Sequence, residues 1–169
     1  KNENMKYSFQ LNPAKIEYGD HRAEIIDWGI FDGRGFPIQA ITDKNQIYDI
    51  VLKVKINQPL SDLIIAFTIK DIKGTEIAGT NTSYVGKNID SFGASEVLEV
   101  HFYQRLPLQN GTYTLSLGCT HFSSKGLEIY HRIYDVILLE SISENRFIGF
   151  FDLESEVKII RHKDKECLL

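Results

Sequence analysis

Thr112-Tyr113-Thr114-Leu115-Ser116-Leu117-Gly118-Cys119 alternates polar and apolar residues at every step, as does Leu98-Glu99-Val100-His101-Phe102-Tyr103. Successive side chains on a β-strand leave on opposite faces, so such stretches bury one face and leave the other to solvent. The pattern spreads outward from these two runs. Strands are expected over Arg22 to Asp32, Gln46 to Ile56, Asp62 to Asp71, Glu76 to Thr80, Ser95 to Gln104, Thr112 to Thr120 and Leu127 to Glu140, with one or two more within Arg146 to Ile160. Asp32-Gly33-Arg34-Gly35, Asn57-Gln58-Pro59, Asp71-Ile72-Lys73-Gly74, Asn110-Gly111 and Ser123-Ser124-Lys125-Gly126 supply the turns between them. Asn81 to Gly93 is expected as a long loop. No segment supports a long helix, so the expected fold is all-β: an immunoglobulin-like or jelly-roll antiparallel β-sandwich.

The chain has 169 residues, 43% of them hydrophobic, which suits one domain with a sizeable core. The formal net charge of -4 offers no basic field for a phosphodiester backbone, so nucleic acid is not an expected partner. No apolar run approaches the ~20 residues that span a bilayer. Of the two cysteines, Cys119 falls on an apolar strand position and Cys167 in a polar tail, so no disulfide between them is expected and a cytosolic setting is favoured. Residues 1–19 read as a linker from a missing upstream domain, 20–160 as the sandwich and 161–169 as a charged tail.

Searches for chemistry return negatives that narrow the function. Gly86-Lys87 is preceded by Asn81 where a phosphate-binding loop needs its first glycine, and Asn88 follows the lysine. The five histidines have no ligand spacing, so neither a metal nor another cofactor is implied. Asp43-Lys44-Asn45 reads as a turn rather than as part of a calcium site. Asn81-Thr82-Ser83 and Asn110-Gly111-Thr112 fit a glycosylation sequon, but loop position accounts for both. Asp135, Glu128 and Glu99 are the carboxylates from which a glycosidase pair would have to be assembled, and no serine sits in a nucleophile elbow. No enzyme activity is expected.

Several motifs in order resemble a known family. Tyr18-Gly19-Asp20-His21-Arg22-Ala23-Glu24-Ile25, Phe31-Asp32-Gly33-Arg34-Gly35, Phe67-Thr68-Ile69-Lys70-Asp71 with Gly74, Gly79-Thr80-Asn81-Thr82, Leu106-Pro107-Leu108 before Gly111-Thr112-Tyr113-Thr114-Leu115-Ser116, and Gly149-Phe150-Phe151-Asp152-Leu153 are similar to the Wzt C-terminal domain. That domain is appended to the ATP-binding subunit of ABC transporters that export O-antigen and related polysaccharides. The resemblance implies a noncatalytic carbohydrate-binding module at the cytoplasmic face of the inner membrane, recognising the nonreducing end of a lipid-linked glycan. Its implied partners are that polysaccharide, the ATP-binding domain, the permease and a second copy, with the region Arg146 to Ile160 exchanged in a homodimer. The family often carries a tryptophan near its C-terminal strand, where this chain has Val157 and Lys158; its single tryptophan, Trp28, is expected in the core.

Strand parity gives a site independently. If Leu63, Ile65, Phe67, Ile69 and Tyr113, Leu115, Leu117, Cys119 face the core, then Ala66, Thr68, Lys70 and Thr114, Ser116, Gly118 share a small, polar outer face. Tyr130, Arg132 and Tyr134 would wall this trough provided that no bulge shifts their parity, and Asn81, Thr82 and Tyr84 would close one end. Tyrosine rings pack on the apolar faces of pyranoses, hydroxyls take side-chain hydrogen bonds, and Arg132 or Lys70 would meet an acidic group. The competing expectation is a protein-interaction sandwich that assembles by sheet-edge pairing.

Overall fold

The structure, a computed structural model, describes residues 4–144 and 146–162. Ten strands follow a 3-10 turn at Met5–Ser8: β1 (Ile16–Tyr18), β2 (Ala23–Phe31), β3 (Ala40–Ile41), β4 (Tyr48–Ile56), β5 (Leu60–Asp71), β6 (Glu76–Asn81), β7 (Ile89–Phe92), β8 (Val97–Gln104), β9 (Gly111–Ser123) and β10 (Gly126–Ser141). They form two packed sheets. The larger runs β1-β10-β9-β5-β6, with β3 beside β10 and β7 beside β5, and the smaller is β2-β4-β8. All pairings are antiparallel except the short β3–β10 contact, as expected for an all-β sandwich.

The alternation that marks the strands also builds the core. Ile25, Trp28 and Ile30 of β2 and Ile50, Leu52, Val54 and Ile56 of β4 meet Ile65, Phe67 and Ile69 of β5 and Leu115, Leu117 and Cys119 of β9. Burying each large aliphatic side chain contributes about 1.5–3 kcal/mol, so this seam dominates the stability. Phe67 and Phe102 lock the sheets edge to face, with ring centroids 5.1 Å apart. Burial pushes the Cys119 thiol pKa up, which makes it inert.

Three boundaries differ from the sequence expectation. Much of the stretch read as a linker over 1–19 is packed onto the sandwich: β1 pairs with β10, Phe9 is buried against Trp28 with ring centroids 5.3 Å apart, and Asp27 accepts the backbone N–H groups of Met5 and Lys6. The loop expected over Asn81 to Gly93 contains β7, which pairs with the start of β5. The strands expected within Arg146 to Ile160 do not form. Instead Phe151 makes a single bridge to Leu108, Lys44 pairs with Asp152, and the remaining described residues carry no regular structure. Most of the tail, including Cys167, lies outside the described residues.

Candidate functional site

The outer face of the large sheet carries a trough, and the ladder register shows which residues floor it. Arg132 on β10, Gly118 on β9, Ala66 on β5 and Asn81 on β6 form one transverse row. Ser116, Thr68 and Gly79 form the next, and Thr114 and Lys70 begin a third. Adjacent strands lie about 4.8 Å apart, so Arg132 and Asn81 stand roughly 14 Å from each other across a floor of glycine and alanine. The resulting trough encloses about 500 Å³ and is lined by Ala66, Thr68, Asn81, Tyr84, Ser116, Gly118, Arg132 and Tyr134 among others. That volume falls in the range of small-molecule sites.

Glycine matters at two of these positions. A Cβ on Gly118 would lie 3.8 Å from Arg132 Cγ and 3.9 Å from Ala66 Cβ, so its absence deepens the floor. A Cβ on Gly79 would lie 2.6 Å from the Phe67 carbonyl oxygen, so only glycine lets β6 come this close to β5.

β10 is irregular twice, and both irregularities decide which side chains reach the trough. Ile129 pairs with Thr120 but His131 pairs with Cys119, so Tyr130 occupies a bulge. This overturns its expected place in the wall. Tyr130 is buried, stacked on His121 and covered by the Arg22 guanidinium 4.5 Å from its ring centre. Arg132 and Tyr134 keep the expected outer parity, and Arg132 Nη1 donates to the Tyr134 hydroxyl at 2.9 Å. Beyond them Ile133 pairs with Leu117 and Ile137 with Leu115, so three residues of β10 stand where β9 has only Ser116.

Asp135, in the middle of that hump, was not part of the site read from the sequence. Its φ is 52°, a left-handed conformation costly for a residue with a side chain. The cost is offset locally: Asp135 Oδ1 accepts from the Thr114 hydroxyl at 2.7 Å and the Ser116 hydroxyl at 3.3 Å, Lys70 Nζ lies 3.1 Å away, and the Asp135 N–H donates to Ser116 Oγ at 2.9 Å. Burial works against its charge, and these donors outweigh burial to hold the carboxyl below the usual range. A sequence signal existed. In Ile133-Tyr134-Asp135-Val136-Ile137 the apolar parity changes, which an unbroken strand cannot accommodate.

Three further expected site residues take other roles. Thr82 is buried and its hydroxyl accepts the Ile65 N–H at 3.2 Å, so it fastens the loop to β5 instead of facing the trough. Thr114 is spent on Asp135, and so is Lys70, whose ammonium also lies 4.6 Å from the Tyr134 ring centre. Asn81 lines the trough while its Oδ1 accepts the Tyr84 N–H at 2.8 Å, which leaves the Tyr84 ring exposed on the rim.

Of the three carboxylates weighed as a glycosidase pair, Asp135 is engaged by Thr114, Ser116 and Lys70. Glu99 belongs to the other sheet, and Glu128 is held by Arg22 at 2.7 Å. Among the described residues no group of three His, Cys, Asp or Glu is placed to hold a metal, and no helix is long and apolar enough to cross a membrane. What the trough does offer is aromatic edges, hydroxyls, an amide, one guanidinium and the Glu76 carboxylate over a floor of small residues.

Comparison with known proteins places the chain in a family. The crystal structure of the C-terminal domain of wzt superposes with a TM-score of 0.83 at 24% identity, covering 95% of this chain and 98% of that one, a likeness of fold. The CARDB domain of the PF1109 protein from Pyrococcus furiosus aligns with a TM-score of only 0.37 and 12% identity over 72% of this chain and 97% of that one, too low to inform the site. No curated protein matches the chain. The family model of the Wzt C-terminal domain matches residues 14–153, and the chain belongs to that family.

Proposed function

We propose that this domain is the noncatalytic module by which an ABC exporter's ATP-binding subunit recognises the nonreducing end of an O-antigen-type polysaccharide at the cytoplasmic face of the inner membrane. Family membership supports the setting. The observation that carries the binding role is the trough itself, whose floor is kept low by Gly118, Ala66, Thr68 and Ser116 between walls bearing Tyr84 and Tyr134. Pyranose rings present apolar faces and a rim of hydroxyls, and such a surface matches both.

The test is calorimetric titration of the chain with the producer strain's own polysaccharide. Thr68→Phe fills the floor at a position that points away from the core, so affinity should fall at least about tenfold, or 1.4 kcal/mol, with thermal unfolding unchanged. Undiminished binding by a folded Thr68→Phe variant would remove the trough from the proposal.

The same reading includes a homodimer formed through the C-terminal region. Leu153, Val157 and Ile159 recur at odd positions and are all more than four-fifths exposed, at 84%, 82% and 82%. Apolar side chains left in solvent mainly on one strand parity, with Ser155 and Ile160 as the exceptions, fit a strand completed by a second copy. Sedimentation of Val157→Asp/Ile159→Asp should give a monomer where the parent gives a dimer.

A further inference from the structure

Arg132 is the one cation among the described residues that line the trough, and it forms no ion pair among the described residues. Its company is neutral: the Tyr134 hydroxyl at 2.9 Å and the phenol of Tyr18 on the neighbouring strand. Lys70, the other nearby cation, is already neutralised by Asp135 and only 13% exposed. Beside Arg132 the floor is at its lowest, because the Cβ that Gly118 lacks would lie 3.9 Å from Arg132 Nε. An open pit thus adjoins a half-buried guanidinium whose charge the protein leaves unmatched.

A guanidinium offers a planar fork of N–H donors that fits a carboxylate or a phosphate, and the bonds so formed are stronger than those between neutral groups. We propose that Arg132 receives an anionic group, a carboxylate or phosphate on the terminal sugar, so that the trough selects acidic over neutral glycan ends. This rests on the trough being the glycan site. The anion lies over Gly118, and the hydroxyls of the same sugar meet Thr68 and Ser116 in the next row. Glu76, also in the lining, is set toward the Lys70 end of the register. It stands four residues along β5 from Ala66, roughly 13 Å, and repels a second negative charge there, which fixes the direction in which the sugar enters.

The experiment is an NMR titration of the full chain, following the Gly118 and Ser116 amides, with glucose, glucuronate and glucose 6-phosphate at constant ionic strength. At least one acidic sugar should bind about tenfold tighter than glucose, and Arg132→Gln should erase that preference, leaving the acidic sugars no tighter than glucose. The acidic sugar that binds tighter identifies the group as carboxylate or phosphate. Equal binding of all three sugars, or a preference that survives Arg132→Gln, overturns the anion assignment and leaves the trough standing. Inorganic phosphate bound as tightly as glucose 6-phosphate reveals a simple anion site and overturns the assignment as well. Absence of trough shifts with every sugar overturns both readings.

Discussion

Acidification from about pH 7.5 to about pH 5.5 should destabilise the domain through His131, and His101 should partly mask the effect. His131 is 1% exposed and lies between the sheets. Its Nδ1 accepts the Ile25 N–H at 2.9 Å, which puts the ring proton on Nε2, where it donates to Glu17 at 2.9 Å. A second proton on Nδ1 would expel the Ile25 N–H and leave it buried without a partner, at a cost of about 1–3 kcal/mol. Burial accordingly holds the His131 pKa below the ordinary histidine value despite Glu17. The unfolded chain takes up a proton that the fold refuses, so stability falls as the pH drops through the unfolded pKa, by at most about 1.4 kcal/mol per pH unit.

His101 has the opposite sign. Burial disfavours its charge, but Asp49 at 2.8 Å and Glu99 at 3.0 Å outweigh burial and raise its pKa. Its contribution is complete below the unfolded pKa and is lost as the pH rises through the folded one. Its side chain is 34% exposed, so solvent screens this term and His131 should win. The depressed carboxylates, Glu17, Asp20 and Asp135 among them, contribute stability that is lost only as the pH falls through their folded values, below this window. Urea unfolding followed by the fluorescence of Trp28, the single tryptophan, measures the balance. His101→Gln should steepen the acid loss and His131→Gln should abolish or reverse it. An identical acid slope in His131→Gln and the parent would refute the reasoning.

Two further outcomes test the geometry around the trough. Gly79→Ala forces a methyl group against the Phe67 carbonyl and should cost about 1–3 kcal/mol in urea unfolding, with faster amide exchange along β6; unchanged exchange would show that β6 has room to move. Asp135→Asn keeps the shape but strips Lys70 of its counter-charge, for an expected loss of about 1–2 kcal/mol by the same assay; wild-type stability would mean that the hydroxyls alone hold the hump.

The sandwich was legible because alternation is a period-two signal, and β2, β4, β5, β8 and β9 have few interruptions. Ala66, Thr68, Ser116 and Gly118 followed from parity on regular, directly paired strands. Tyr130 was misplaced because an unpaired residue in β10 rotates its side chain, and local propensity does not reveal which residue of a strand lacks a partner. Asp135 was missed for the same reason. Thr82 was misread because its role depends on a backbone N–H seventeen residues away, at Ile65. β1 and β7 escaped notice because three- and four-residue pairings draw their stability from the strands they border and carry little pattern of their own.

The hump at Tyr134-Asp135-Val136 also bears on how such domains diversify. Because β10 resumes its pairing with β9 on either side, a residue inserted or deleted there can be absorbed by the protrusion without flipping Ile133 or Ile137 out of the interior. One flank of the groove is therefore free to change length while the scaffold stays in register. Descendants of this chain could acquire a differently shaped groove by a single-codon indel, a route closed to the straight strands β5 and β9, where the same event would turn the molecule inside out.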